Sequence, residues 1–497
     1  MACCIFALAI LIAPAAIAQN MVSGTVVDGQ NEPVIGASVM VKGTTSGVAT
    51  GIDGDFSIAA KPSDVLKVSA VGYKTAEVKV EGTAPIRITL EESSEVLDEV
   101  VVIGYGTSTK KELTGSVASM KKEELNPGTF PNAMGMLQGK VAGLQIVNPS
   151  GADPTAKYEI LLRGTNTLAA GQGPLVIIDG VAGADIRNIN PQDIESIDVL
   201  KDGSAAAIYG TRGTNGVIIV TTRRAREGRA EVTYEGQFTV GKVTRRAVPL
   251  TASEFNYVID TYRPELSGSK YGADTDWFDE ITRTPISHKH TLSLSGGTEK
   301  FSHFTSLNYE KAEGVQRGND FEKIAGRTNI RQILLEGWVD VDVNLFITHR
   351  KYNPSNTSAF QQAFIHNPTE PVYDPSNSTS GGYYRIEAME YYNPVAMINE
   401  RTSTTVNDNF GGNARVTLNI KPIKGLKWDA FLALSRESNE SKTYSTHFYP
   451  SIIGTDGSAE ISNYKNNDTQ FETTLNYNRT FGHHSLQALL VYDYQQG

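Results

Sequence analysis

From about residue 230 onward, hydrophobic and polar residues alternate with a period of two. In EVTYEGQFTV, Val232, Tyr234, Phe238 and Val240 share one face, and Glu231, Thr233, Glu235, Gln237 and Thr239 the other. WVDVDVNLFI sets Val339, Val341, Val343 and Leu345 against Asp340, Asp342 and Asn344. ARVTLNI sets Val416, Leu418 and Ile420 against Arg415, Thr417 and Asn419, and SLQALLVYDY turns Leu486, Ala488, Leu490, Tyr492 and Tyr494 away from Gln487 and Asp493. This periodicity predicts strands. Alternating runs of about ten residues have the length of a tilted strand crossing a bilayer. They are joined by tight turns (KPIKGL, RTFGHH) or by long polar stretches such as 351–410. Short turns at one end and long loops at the other are the signature of a membrane barrel, whereas soluble sandwiches use strands of ~5–6 residues. The pattern predicts barrel strands over 230–497.

Upstream the rhythm is shorter. Residues 20–92 hold brief strands (VSGTVVD, ASVMVKGT, GDFSIAA, DVLKVSAVGY, AEVKVEG, IRITLEE) separated by Gly, Asp and Pro. Asp53-Gly54 in GIDGDF reads as a hairpin turn; calcium binding by Asp53 and Asp55 lacks the rest of an EF-hand-type loop. The pattern G-T-V-x-D…P-x-x-G-A-x-V-x-V-K-G-T resembles the carboxypeptidase regulatory-like domain, a small β-sandwich. Residues 107–225 mix strands with short helices. TGSVASMKKEEL reads as a strand and a helix start, and NAMGMLQGKVAGLQIV as an amphipathic helix and a strand. GPLVIIDGV ends in an Asp179-Gly180 hairpin, and SAAAIYG reads as a small-residue helix before a closing strand. Between these parts lies LDEVVVIGYGT, four β-branched residues with no obvious hairpin partner. It is either the first strand of the following sheet or an edge awaiting another chain.

Composition narrows the classes. A net charge of −10 offers no basic field for nucleic acid. Residues 1–18 form a charge-free apolar run ending in the small triplet Ala16-Ile17-Ala18, a secretory signal expectation. Both cysteines, Cys3 and Cys4, fall inside it, so disulfides, thiolate metal ligation and Cys nucleophiles are not expected of the mature chain. Catalysis finds little support. GTRGTNGV lacks the Lys-Ser/Thr of a phosphate loop, no G-x-S-x-G elbow occurs, and neither His288/His290 nor His483-His484 sits in a metal-ligating motif. No metal, no cofactor and no enzyme activity is expected.

The order of parts resembles the SusC-like TonB-dependent outer-membrane transporters of Bacteroidota. The residues that carry the likeness are LDEVVVIGYGT (97–107), LQGKVAGLQI (137–146), LRGTNTL (162–168), PLVIIDGV (174–181) and IESIDVLKDGSAAAIYGTRGTNGVIIVTT (194–222). The resemblance implies a mainly β chain: a signal at 1–18, a regulatory-like sandwich at 20–92, a TonB box and linker at 95–106, an α+β plug at 107–225, and at 230–497 the N-terminal part of an antiparallel transmembrane barrel. Plugged transporters have about 22 strands, and 230–497 has room for about ten at this spacing; the chain is thus expected to be about half of a longer protein. The TonB box would be Asp98, Glu99, Val100, Val101, Val102 and Ile103, an extended segment that adds to a sheet edge of TonB. Arg163, Asp198 and Arg212, with Glu195 and Asp202, would pair inside the plug or from plug to wall. The further partners implied are a SusD-like surface lipoprotein, outer-membrane lipid, and a glycan or peptide cargo, with the N-terminal domain in the periplasm. Loop tyrosines (Tyr383, Tyr384, Tyr391, Tyr392) are compatible with sugar stacking and equally with a barrel girdle. The rival readings are a periplasmic or surface carbohydrate-binding or adhesion protein without transport, and a metallocarboxypeptidase, for which the His-x-x-Glu zinc pattern is missing from the sequence.

Overall fold

Alternating valines build the first unit. In β1 (Met21–Val27) Val22 and Val26 point inward. β1 lies between β4 (Asp55–Ala59), antiparallel, and β7 (Ile86–Thr89), parallel. A second sheet runs β3 (Gly47–Ala49), β2 (Ser38–Val41), β5 (Val65–Ser69), β6 (Ala76–Lys79). Val22, Val26, Val39, Phe56, Ile58, Leu66, Val68 and Ile88 fill the space between the sheets, each fully buried side chain contributing roughly 1.5–3 kcal/mol. Gly24 is required for the β1–β7 approach, because a Cβ there would meet the Ile86 carbonyl oxygen at 2.1 Å. Gly54 takes the left-handed φ of +71° while Asp53 does not, so the expected turn places one residue, not two, in that region. The chain divides after Glu99.

The computed structural model describes residues 21–497 except 43, 45–46, 71–72, 83, 92–99, 104–105, 110–116, 127, 129, 131–132, 151–152, 165–171, 203–206, 225–226, 388–389 and 483. The expected signal over 1–18 lies outside the described residues. The second unit opens with β8 (Val100–Ile103) and β9 (Gly106–Thr109). Next come β10 (Val117–Lys121), β11 (Leu144–Val147), β12 (Glu159–Leu162), β13 (Leu175–Ile178), β14 (Val181–Ala182), β15 (Ile194–Leu200) and β16 (Val217–Thr222). Five of these form a sheet in the order β10-β15-β16-β13-β14, and β11 pairs with β12. β15 and β16 carry apolar residues on both faces because both faces are covered. Ile197, Val199, Ile218 and Val220 pack on one side, and Leu200, Val217 and Ile219 on the other. The expected helix in NAMGMLQGK is shorter than the sequence pattern implied, and Ser204–Ala206 of the expected SAAAIYG helix lie outside the described residues. Residues Ala133–Leu137 form a 3₁₀ turn, followed by Gly139 and Gly143 at positive φ, and Ala207–Gly213 is a 3₁₀ segment broken at Gly210, φ +61°. Glycine's freedom at these points breaks the helix before it can lengthen.

The remainder is an antiparallel meander of nine strands. They are β17 (Gly228–Val240), β18 (Ile286–Gly297), β19 (Phe301–Glu313), β20 (Asp320–Leu334), β21 (Val339–Tyr352), β22 (Arg401–Asn419), β23 (Leu426–Ser445), β24 (Ser458–Phe481) and β25 (His484–Gln496). The connections alternate as expected: 298–300, 335–338, 420–425 and 482–483 at one end; 241–285, 314–319, 353–400 and 446–457 at the other. The long connections carry α1 (Ala252–Tyr262), α2 (Trp277–Ile281), α3 (Thr357–Ile365) and α4 (Pro394–Asn399). Several strands run well past the ten residues of a bilayer crossing, β24 to 24 residues, because they continue into the long-loop end.

The wall is inverted relative to a water-soluble sheet. Leu292, Leu307, Ile324, Leu345, Ile347, Phe410 and Leu434 are exposed on its outer face. Thr291, Ser293, Ser306, Asn308, Lys323, Asn329, Asn344 and Asn407 are buried on its inner face. Apolar out and polar in is the solution for a sheet whose outer solvent is lipid. Among the described residues no helix is long and apolar enough to cross a membrane.

Candidate functional site

Three constructions bear on function: a ribbon, a plug–wall interface and a loop canopy. The ribbon is β8 against β9, in register from Val100↔Thr109 to Ile103↔Gly106. The valine run therefore has a local partner that the polar sequence TSTKKE concealed. The ribbon is hydrogen-bonded into neither the plug sheet nor the wall. An isolated two-stranded hairpin is marginal in water, so this pairing is a weak competitor for another edge. Asp98 and Glu99 lie outside the described residues.

At the plug–wall interface the Asp179-Gly180 turn, with φ of +49° and +89°, links β13 to β14 and projects a carboxylate into the wall. Asp179 pairs there with Arg327 of β20, and the two side chains are only 4% and 8% exposed. The Thr222 amide (3.0 Å) and hydroxyl (2.7 Å) also donate to Asp179. Burial alone would raise this carboxyl, but Arg327 and the Thr222 hydrogen bonds outweigh it and hold the group below its ordinary range. Nearby, Asp185 accepts from Arg187 at 2.7 Å and from Arg350 of the wall at 3.5 Å. Burial opposes ionisation of Asp185 too, and the two guanidiniums prevail.

Further contacts use plug backbone as acceptor. Lys323 of the wall donates to the carbonyls of Arg187 (2.9 Å) and Ile189 (3.3 Å), and Thr348 to that of Asn188 (3.3 Å). Asn190 donates to Thr291 at 3.1 Å, and Ser306 donates to Asp193 at 2.8 Å. Burial raises the Asp193 carboxyl against the pull of Ser306 and nearby cations. Towards the long-loop end, Asp153 accepts from Asn319 (3.1 Å) and from the Ser355 amide and hydroxyl (3.2 and 2.8 Å). Plug residues 153–193 are thus tied to five strands, β18 to β21 and, through the Ala182 amide and Gln470, β24, and to two loops by directional polar bonds.

The three plug residues singled out from sequence separate. Arg163 pairs with Asp202 within the plug, and Asp198 accepts from Ser119 of β10. Arg212 reaches the wall, donating to Gln495 of β25. The Asp179–Arg327 pair was not identified from sequence. Asp179 read only as a turn residue, and its partner lies 148 positions away. The available signal was a lone arginine amid the small residues of AGRTN, on the inward phase of β20.

The loop canopy has its own core of Trp277, Ile281, Ala363, Tyr383, Val395 and Ala396. His366 and Glu370 lie buried within it, 3.9 Å apart. Tyr391 stacks on His366 at 4.1 Å and donates to Glu370 at 2.8 Å. Burial pushes Glu370 up to about 7 and His366 down to about 4. Tyr383 donates to Glu400 at 3.1 Å, so Tyr383 and Tyr391 spend their hydroxyls on the canopy itself. Among the described residues no cluster of three or more His, Cys, Asp or Glu is placed to hold a metal.

Residues 22–102 match the CarboxypepD_reg-like domain, and residues 109–217 match the TonB-dependent receptor plug domain. TonB-dependent receptor SusC of Bacteroides thetaiotaomicron is 35% identical over 453 residues, covering 87% of this chain and 43% of SusC. TonB-dependent receptor P26 of Formosa agariphila is 32% identical over 490 residues, covering 95% of this chain and 48% of P26. The chain spans about half the length of these curated relatives. The fold is that of the RagAB peptide importer in its open-open state (TM-score 0.68, 24% identity, 80% of this chain and 49% of that one).

Proposed function

The chain is a SusC-like TonB-dependent receptor sequence, and on that premise we propose that the complete protein is an active importer of the outer membrane. Its cargo would be oligosaccharides, or peptides as in the RagAB importer, captured under a SusD-like lipoprotein seated on the long-loop end. The regulatory-like unit would stand in the periplasm. TonB would pair with the extended segment 98–103, replacing β9, and pull.

The observation that carries this reading is the inverted wall filled by a plug that it holds through polar bonds. Main-chain pairing along an extended segment can bear a pull without needing a preformed pocket. The load would then reach β10 and the plug sheet, and would be resisted by Asp179–Arg327, Asp185–Arg350 and the backbone carbonyls held by Lys323. Arg212, Arg163 and Asp198 would take part by keeping the moving piece whole and registered. No covalent step is assigned.

Deletion of 98–103 from the complete receptor is the test. Uptake is expected to vanish while surface assembly and cargo binding persist. Uptake that survives the deletion would leave a binding or adhesion protein as the better reading.

A further inference from the structure

The outward face of the wall changes character close to one level, with Ile324 standing beside Tyr309 and His349, and Arg436 beside Phe410. Going toward the long loops, apolar gives way to polar or ionisable between Leu292 and His290, Leu307 and Tyr309, Ile324 and Glu322, Ile347 and His349, Phe410 and Asp408, and Leu434 and Arg436. The strand register places these positions side by side: His290↔Tyr309↔Ile324↔His349↔Asp408, and next to them His288↔Lys311↔Glu322↔Lys351. From the short turns to this level is about ten residues, one bilayer crossing. The level is therefore the headgroup boundary on the long-loop side.

One part of that boundary is hollow. Gly236 of β17, paired with His290, lines a recess with Gln237, Phe238, His288 and His290, with a cavity volume of about 390 Å³, and the Tyr234 hydroxyl lies 3.1 Å from where a Cβ at Gly236 would stand. Its imidazoles are fixed in place. His290 Nδ1 lies 2.7 Å from the Tyr234 hydroxyl, and its Nε2 lies 3.2 Å from His288 Nδ1. Beside His288 stands Lys311, exposed and without an ion pair among the described residues. Glu322, the next group in the row, accepts from Tyr309 at 3.2 Å. Directly below lie Tyr234, Leu292 and Leu307, apolar and lipid-facing.

We propose that this recess, lined by Phe238, His288 and His290 and flanked by Lys311, is a binding site for an anionic lipid of the outward leaflet whose phosphate is a terminal monoester. The lipid's phosphate meets Lys311 and His288 Nε2, with His290 holding the His288 ring in place, and its hydrocarbon lies on Leu292 and Leu307. A cation at the headgroup level above an apolar strip matches such an amphiphile end to end, and an ammonium at that depth is held by phosphate far better than by a neutral headgroup. The inference uses only the membrane-wall reading and does not depend on what is imported.

The test uses the complete receptor in phosphatidylcholine nanodiscs containing phosphatidic acid, released into the gas phase with bound lipids counted by native mass spectrometry. Wild type is expected to retain phosphatidic acid at least fivefold over phosphatidylcholine. Lys311→Gln, and separately His288→Gln with His290→Gln, should cut that preference to below twofold while the heat-modifiable barrel band on gels is unchanged. Gly236→Leu, which fills the recess without altering charge, should do the same. Equal retention by wild type and all three variants overturns the proposal, as does equal retention of the two lipids by wild type. Loss of bound phosphatidic acid to millimolar inorganic phosphate would assign the site to a free anion and overturn the lipid assignment.

Discussion

Asp179 and Arg327 show how a single pair can tie the plug to the wall. Both side chains are almost fully buried, so removing one strands the other's charge out of water. Such losses cost about 3–5 kcal/mol, whereas replacing both partners costs much less. Arg327→Ala in the complete receptor is therefore expected to raise the exposure of a cysteine placed in the plug to a membrane-impermeant thiol reagent by more than tenfold. Asp179→Asn combined with Arg327→Gln should restore most of the protection. Additive losses in that double-mutant cycle would mean that the pair does not act as a unit.

A second residue-scale prediction concerns His366 and Glu370. Glu370 has a folded value of about 7 against 4.5 unfolded, so its contribution is fully present below pH 4.5 and is lost as pH rises through 7. His366 has a folded value of about 4 against 6.5, so its contribution is fully present above pH 6.5 and is lost as pH falls towards 4. The two slopes oppose each other and nearly cancel in the wild-type canopy. Glu370→Gln removes one of them. Protection of 357–370 against hydrogen exchange, corrected for intrinsic rates, should then be higher than wild type at pH 8 and fall steadily between pH 6.5 and 4. A flat profile in that variant would contradict the burial of His366.

At the scale of elements, the turn at Asp179-Gly180 aims the plug's carboxylate. Gly180 holds φ +89°, and an added Cβ would approach Phe431 of β23 to 3.3 Å. Gly180→Val is expected to destabilise the plug by about 1–3 kcal/mol, since β-branched residues resist positive φ, and to weaken the Asp179 contact. Thermal release of a plug-attached fluorophore would register it. The ribbon gives a sharper prediction. Val101→Pro removes a main-chain donor from an extended edge and should reduce uptake more than tenfold with surface display unchanged; normal uptake would show that this edge takes no load.

Much of this organisation was legible in the sequence because period-two alternation is a local property. Val339–Leu345 or Leu486–Tyr494 announce their strand without reference to any partner. The ribbon and the lock were not legible for the same reason. GTST has no apolar residue to mark β9, and Asp179 finds Arg327 only after the wall has curved around the plug. The 3₁₀ turn at Ala133–Leu137 was overread as a helix because its small and apolar residues fit a helical period over a span too short to carry one.

At the scale of the whole molecule, the wall's two faces answer to two solvents. Leu307→Arg on the outer face, just inside the headgroup boundary, should cost the complete receptor about 1–2 kcal/mol of stability, read by urea titration in lipid vesicles. The adjacent inward Asn308→Leu should leave that titration nearly unchanged and instead loosen the plug. If both changes act alike, the assignment of faces is wrong. The inner lining has a consequence for repeated use. A stopper seated by hydrocarbon would leave a dry, costly hollow when drawn out. Here the asparagines, serines and charged groups of the sleeve can each exchange a plug atom for water. On the proposed function, withdrawal would be a trade of like for like, and the same energy landscape that would let the stopper leave under a pull would let it slide home when the pull ends.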